Sequence, residues 1–249
     1  GEGTKELPYR RSKAMTNEQY YDFIQPYQNA NAIMRMKLEV LNHNLYLKSS
    51  EPIHHIQERV KEKKSIEEKL ERMNYSDSVQ NAKDHLLDVA GIRVICYFVD
   101  DIHNLVNALK RHVELIVIRE KDYITNPKPN GYRSFHMIVG VPVYYLDTME
   151  YFPVEIQFRT MAMDFWASME HRICYKKQPE HREELAAAFQ QYAKVLENIE
   201  EQFEAYNETG RLGDVNEPEI PWWQMLAQEA EREMQTTESE YLEIEERRM

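Results

Sequence analysis

Ile92-Arg93-Val94-Ile95-Cys96-Tyr97-Phe98 is a run of branched and aromatic residues that reads as a β-strand. Downstream, Asp100 and Asp101 cap a helix reaching Arg111, and strand patterns follow over 115–123, 134–145 and 151–159. Between the first two lies Asn126-Pro127-Lys128-Pro129-Asn130-Gly131, a rigid, turn-rich loop. Asp147-Thr148-Met149 marks a hairpin between the last two. From 161 the pattern is helical to about 207, interrupted near Pro179 and ended by Gly210 and Gly213. After the 218–221 linker a last acidic helix is expected.

Upstream of Ile92 the reading is helical. Thr16 with Gln19 forms a capping box, opening a helix that breaks at Pro26 and carries Ile33, Met34, Leu38 and Leu41. Pro52 suits the first turn of a second helix, with Ile56 and Val60 inward, then Ile66, Leu70 and Met73 after a bend. A further helix spans 78–87. Helices, then strands, then helices give an α+β fold with a mixed four- to five-stranded sheet flanked by helices. The expected division is a disordered or added N-terminus over 1–15, one main domain over 16–209, and an acidic helical C-terminal extension over 210–249.

Composition narrows the function classes. No apolar run approaches the roughly 20 residues that span a bilayer, and no export signal is visible, so a soluble cytoplasmic protein without membrane partners is expected. Cys96 and Cys174, the two cysteines, form no CxxC, which fits a reducing compartment. The net charge of −12 resides wholly in residues 181–249, with 18 acidic against 6 basic residues; the remainder carries 25 of each. An acidic tail disfavours indiscriminate nucleic-acid binding but leaves room for a local phosphate pocket. Neither GxGxxG nor GxxxxGK[ST] can be written from the glycines present, and HExxH is missing. Phosphate handling must then rest on cationic side chains and a metal held by carboxylates.

Candidates for such a site are weak one by one. Arg59, Lys69 and Arg72 are close to whole helical turns apart, yet the interleaved glutamates suit a solvated helix face equally well. Asp88 sits just before a strand and Glu155 within one, sharing a face with Gln157 and Arg159; that face is either a site or simply the wet side of the strand. A pair of acids at strand ends is what one Mg²⁺ needs. Alternation puts Tyr132, Ser134 and His136 on one side, where an aromatic face is able to stack a base. Arg119-Glu120-Lys121-Asp122 reads as a charged, guarded edge strand. Phe165, Trp166 and Met169 form an apolar helix stripe bordered by Asp164.

Taken in order, DVAGIRVICYF (88–98), KDYITNPKPNGYRSFH (121–136), VEIQFRT (154–160) and AMDFWASMEH (162–171) resemble the successive signatures of RelA/SpoT-type alarmone synthetase domains. The set Arg59, Lys61, Ser65, Lys69 and Arg72 resembles that family's ATP-binding helix. The likeness covers roughly residues 20–205, and the PKPNGYRS and AMDFWAS spellings look closest to the RelP-like branch of small, single-domain synthetases. The resemblance implies a nucleotidyltransferase-like fold and an enzyme that moves the β,γ-pyrophosphoryl group of ATP to the 3′-hydroxyl of GDP or GTP, releasing AMP. It implies Arg59 and Arg93 on the adenine, and Lys61, Ser65, Lys69 and Arg72 on the triphosphate. It implies Asp88 on Mg²⁺, and Glu155 either on that metal or accepting the hydroxyl proton. Tyr132 is implied to stack on the guanine, with His136, Lys121 and Arg133 near its phosphates and Gln157 beside them. Asp164 stands where some relatives carry Asn, and a carboxylate accepts but does not donate to guanine N1–H and N2–H₂.

The same signatures admit two other readings. Toxic relatives pyrophosphorylate the tRNA 3′ CCA end, which needs a basic approach surface that the charge balance disfavours. A catalytically inactive nucleotide-binding regulator is the reading from another class, opposed by the joint presence of Arg59, Asp88, Tyr132 and Glu155. The resemblance also implies a homo-oligomer, read as a tetramer through C-terminal helices; Trp222 and Trp223 lie beyond the family core, and because two adjacent exposed tryptophans are unusual they are expected to pack against the domain or a neighbouring subunit.

Overall fold

The computed structural model describes residues 14–46, 51–174 and 182–211, so the expected last helix, Trp222, Trp223 and Gly213 lie outside the described residues. Two compact units divide after Glu201; of the second, the described residues are the final turns of one helix. The first unit is built on a five-stranded sheet in the order β1-β2-β5-β4-β3. Its strands are β1 (Ile53–Val60), β2 (Ala90–Cys96), β3 (Ile116–Asp122), β4 (Phe135–Tyr144) and β5 (Met149–Thr160). β2 and β5 are parallel and the other neighbours antiparallel, so the sheet is mixed and the fold α+β.

Alternation gives the sheet two unlike faces. Ile92 and Val94 on β2, Met137 and Val139 on β4, and Val154, Ile156 and Phe158 on β5 are buried in the core. α1 (Asn17–Tyr46) covers that face with Phe23, Ile24, Tyr27, Ala30, Met34 and Leu38, all buried and spaced in threes and fours. The capping box is formed: Gln19 N–H donates to Thr16 Oγ1 (3.1 Å) and Thr16 N–H to Gln19 Oε1 (2.9 Å). The expected break at Pro26 does not occur. Helix α1 runs through it, because Ile24 before and Tyr27 after the proline are both anchored in the core, and that burial outweighs one lost backbone hydrogen bond.

The second correction matters more for the site. Residues 53–60 form edge strand β1, not a helix opened by Pro52, and α2 (Lys63–Arg72) begins only after it. Ile56 and Val60 do pack on the core. Their spacing of four fits a helical face and a strand face alike, which is why the pattern misled. α3 (Val79–His85), capped by Ser78, leads into β2; α4 (Val99–Lys110) follows it, with Asp101 accepting the Phe98 N–H at 3.1 Å. α5 (Met161–Cys174) continues directly from β5, and α6 (Arg182–Arg211) has its last described residue one past Gly210.

Candidate active site

Side chains on the face opposite α1 line up in two rows across the sheet. Backbone register sets Gln57, Arg93, Gln157, His136 and Lys121 opposite one another from β1 to β3. The next row is Arg59, Gly91, Glu155, Ile138 and Arg119. Two cavities open on this face. One of about 160 Å³ is lined by Gln57, Arg59, Gly91, Arg93 and Gln157, and one of about 490 Å³ by Lys69, His85, Asp88, Arg119, Lys121, Tyr123, Lys128 and His136. Glu155 lines both. A larger opening of about 690 Å³ between α1 and α4 includes neither Glu155 nor Asp88.

Gly91 forms part of the floor of the smaller cavity. A Cβ there would lie 3.5 Å from Arg59 Nε, so the Arg59 side chain lies over the bare backbone of β2. Arg93 Nη1 stands 3.5 Å from Asp164 Oδ1, which also accepts from Arg159 Nη1 at 3.0 Å. Burial, then the neighbouring Arg159 charge, lower the Arg93 pKa below the usual guanidinium value. Asp164 thus offsets two adjacent guanidiniums on the Arg93 side, and it does not line the larger cavity.

Asp88 follows α3 and precedes β2, where its Oδ2 receives Lys69 Nζ at 2.7 Å and Lys61 Nζ at 3.1 Å. Burial alone would raise its pKa, yet the two ammonium groups hold the carboxyl below its ordinary value. Asp88 Oδ1 is buried without a hydrogen-bond partner. Glu155 faces His136 (Oε1 to Nδ1, 3.7 Å) and accepts from Gln157 Nε2 at 3.1 Å. The imidazole and the amide keep the Glu155 carboxyl below the ordinary value, against burial and the negative charge of Asp88. Two carboxylates that feel one another, one with an orphaned buried oxygen, are hard oxygen donors of the kind that would hold Mg²⁺. Ser65 and Arg72 share the Lys69 face of α2 by their spacing, while Lys61 reaches Asp88 from the β1–α2 connection.

Tyr132 lines neither cavity, but it is bonded to His136, which lines the larger one. The Tyr132 hydroxyl receives Arg159 Nη2 at 3.0 Å and meets His136 Nε2 at 2.8 Å. Lys128 Nζ sits 4.8 Å from the ring centres of both Tyr123 and Tyr132. Arg133, in contrast, is not brought to either cavity beside Glu155; it is buried and paired with Glu197 (3.2 Å) and Glu200 (3.3 Å) on α6. Gln157 lines the smaller cavity, not the larger one. Sequence reasoning passed over Gln57, Arg119, Tyr123, Lys128 and Arg159 as site residues. Arg119 and Lys121 alternate on one strand, and Glu155, Gln157 and Arg159 on another, so the period of two was the available signal.

A sequence profile of the region found in RelA / SpoT proteins matches residues 58–180. The GTP pyrophosphokinase YwaC of Bacillus subtilis is 45% identical over 150 residues, which is 60% of this chain and 71% of that protein. The chain belongs to the RelA/SpoT family, among its small alarmone synthetases. The crystal structure of small alarmone synthetase 1 from Bacillus subtilis bound to its product pppGpp superposes with a TM-score of 0.69 at 30% identity, covering 78% of this chain and 100% of that one. The same synthetase bound to AMPCPP gives a TM-score of 0.64 at 28% identity, covering 78% and 99%. No helix among the described residues is long and apolar enough to cross a membrane.

Proposed function

We propose that this chain is a (p)ppGpp synthetase, transferring the β,γ-pyrophosphoryl group of ATP to the 3′-hydroxyl of GDP or GTP. The observation that carries the reading is Glu155, a carboxylate between an arginine-lined cavity and a larger one edged by Lys69, Lys121, Tyr123 and His136. Arg59 and Arg93 sandwich the adenine, since guanidinium planes stack on aromatic rings. Lys61, Lys69, Ser65 and Arg72 take the triphosphate, Tyr132 carries the guanine, and Lys121 and His136 its 5′ phosphates. The larger cavity's cations, including Arg119 and Lys121, add positive potential where the acceptor phosphates lie.

The chemistry is a displacement at the β-phosphorus. The acceptor's 3′ oxygen bonds to that phosphorus, the bond from it to the oxygen bridging to the α-phosphate breaks, and AMP leaves with that electron pair. Glu155, held ionised by His136 and Gln157, accepts the hydroxyl proton. Asp88 and Glu155 would hold Mg²⁺, which supplies neutralisation of the transferred phosphates when bound. Positioning and charge compensation carry such transfers, so fixed cations on a rigid sheet are the right equipment. The setting is a cytoplasmic homo-oligomer, taken as a tetramer; exposed Phe165 and Met169 on α5, with Tyr192, Val195 and Ile199 on α6, are apolar surface for a subunit contact.

The deciding experiment offers γ-labelled ATP and Mg²⁺ with GDP, GTP or bulk tRNA, beside a Glu155→Gln control. Label in guanosine tetra- or pentaphosphate, absent from the control, is the expected result. Label confined to tRNA would shift the acceptor to a polynucleotide end, and no transfer to any acceptor would leave a nucleotide-binding regulator.

A further inference from the structure

Arg133 and its neighbour Tyr132 turn to different partners. Tyr132 binds Arg159 and His136 on the cavity side, whereas Arg133 reaches Glu197 at 3.2 Å and Glu200 at 3.3 Å on α6. We propose that Arg133 is a positioning residue for the acceptor nucleotide, fixing the Tyr132 loop against α6. The inference rests on the reading that the acceptor base seats on Tyr132.

Three observations converge on this joint. The first is the ion pair itself. The Arg133 and Glu200 side chains are 10% and 5% exposed, and Arg133 borders Trp166, Ala193 and Leu196. Apolar residues of similar volume would stabilise such a place at least as well, so a buried pair is better explained by the single geometry it enforces than by net stability. The second is the absence of slack. Gly131 has φ of +93°, and a Cβ there would come within 2.8 Å of Ala193 Cβ and 3.0 Å of Gln190 Cα. Loop and helix backbone therefore touch, and the place of α6 dictates the place of the loop. The third is a parallel link. Trp166 Nε1 donates to the Phe189 carbonyl of α6 at 2.7 Å, and its ring meets Tyr132 edge-on at 6.3 Å.

The consequence is directional. A shift of the loop moves Tyr132 away from Arg159 and His136, which anchor its hydroxyl at 3.0 and 2.8 Å, and reaches Arg93 only at second hand through Arg159 and Asp164, while Arg59 and the Asp88–Lys69 pair share no bond with it. A misplacement of about 1 Å at a reacting or binding group is enough to cost up to about a hundredfold. Loss of Arg133 should thus be felt by the acceptor and much less by ATP.

The test compares the full chain with Arg133→Met, Arg133→Lys and Glu197→Gln, varying GDP and ATP separately. Arg133→Met is expected to raise KM for GDP about tenfold, which corresponds to about 1.4 kcal/mol, with KM for ATP within about twofold. Arg133→Lys, which keeps the charge, should recover most of that loss. Glu197→Gln should move KM for GDP in the same direction by a smaller factor, and the Arg133→Met/Glu197→Gln double variant should be no worse than Arg133→Met alone. Melting curves accompany each variant. Equal rises in both KM values, independent effects that multiply in the double variant, or an unchanged KM for GDP with a lowered Tm would each overturn the proposal. Should Arg133→Met fail to fold, Arg133→Lys and Glu197→Gln decide it by the same criteria. If the wild type binds GDP without transferring to it, the proposed function falls on its own, and calorimetric GDP affinities replace KM in the comparison.

Discussion

Lys69 Nζ lies 2.7 Å from Asp88 Oδ2, and Lys61 Nζ shares that oxygen at 3.1 Å, while Asp88 Oδ1 is buried with no partner. One carboxylate therefore ties α2, the β1–α2 connection and the entry to β2 together at the mouth of the larger cavity. Its free oxygen keeps a donor for the metal that the chemistry calls for.

The pair also titrates. The folded-state Asp88 carboxyl releases its proton more readily than an ordinary aspartate of pKa 3.8, so it stabilises the fold in full above that value. That contribution disappears as pH falls through the lower, folded-state value. Asp88→Asn should melt about 2–4 °C below wild type near neutrality, the shift expected for about 1 kcal/mol in a chain of this size. The gap should begin to narrow below about pH 4 and close only below the lower, folded-state value. Thermal melts from pH 7 to 3 check this; a gap that persists undiminished at pH 3 would mean the pair does not act as described.

Glu155→Gln removes the proton acceptor and leaves the side-chain volume unchanged. Transfer should fall by about 10²–10⁴-fold, the usual share of general-base catalysis, while affinities for ATP and GDP stay within a few fold. Because His136 and Gln157 hold Glu155 below the ordinary value of 4.5, the acid limb of kcat/KM that belongs to it lies below that value. A pH–rate profile beside binding measurements separates the two effects. An intact rate in the glutamine variant would place the proton elsewhere.

How far the sequence disclosed this arrangement depends on whether a period is unique. β2 is legible as an unbroken branched and aromatic run from Ile92, and β5 because Val154, Ile156 and Phe158 alternate with Glu155 and Gln157, as only a strand does. β1 is not, because Ile56 and Val60 satisfy both periods and the intervening Gln57, Glu58 and Arg59 are the polar residues of an exposed edge. Arg59 therefore reads from sequence as part of a helix, whereas it lies on edge strand β1. Arg133 was legible only as part of a motif. The carboxylates that claim it stand more than sixty residues later, on α6, and local pattern carries no trace of that pairing.

Asp164 links two arginines, so its neutralisation has a readable outcome. Asp164→Asn keeps one oxygen as an acceptor but leaves Arg93 and Arg159 facing each other with less compensation. Arg93 should then swing from its place in the smaller cavity. KM for ATP is expected to rise about threefold to tenfold, in line with a charge-assisted hydrogen bond, and to rise further at low ionic strength, where the repulsion is less screened. A change confined to KM for GDP would put Asp164 on the guanine instead.

Gly91 gives the sharpest contrast between fold and function. An added Cβ meets Arg59 Nε at 3.5 Å, Arg59 Cγ at 3.6 Å and the Glu155 carbonyl at 3.8 Å, all ordinary contacts. Gly91→Ala should therefore fold and bind ATP within about threefold of wild type, helped by the better strand propensity of alanine. Gly91→Val places two methyl groups further out, where the Arg59 side chain lies and where the smaller cavity, only about 160 Å³, has little space to yield. β-branching suits the strand, so the valine variant should retain its Tm while KM for ATP rises by about an order of magnitude or more. Melting temperature and KM for ATP measured on the two variants decide the matter. A valine variant that binds ATP normally would show that the base does not enter between Arg59 and Arg93, and a valine variant that melts early would assign Gly91 to packing alone.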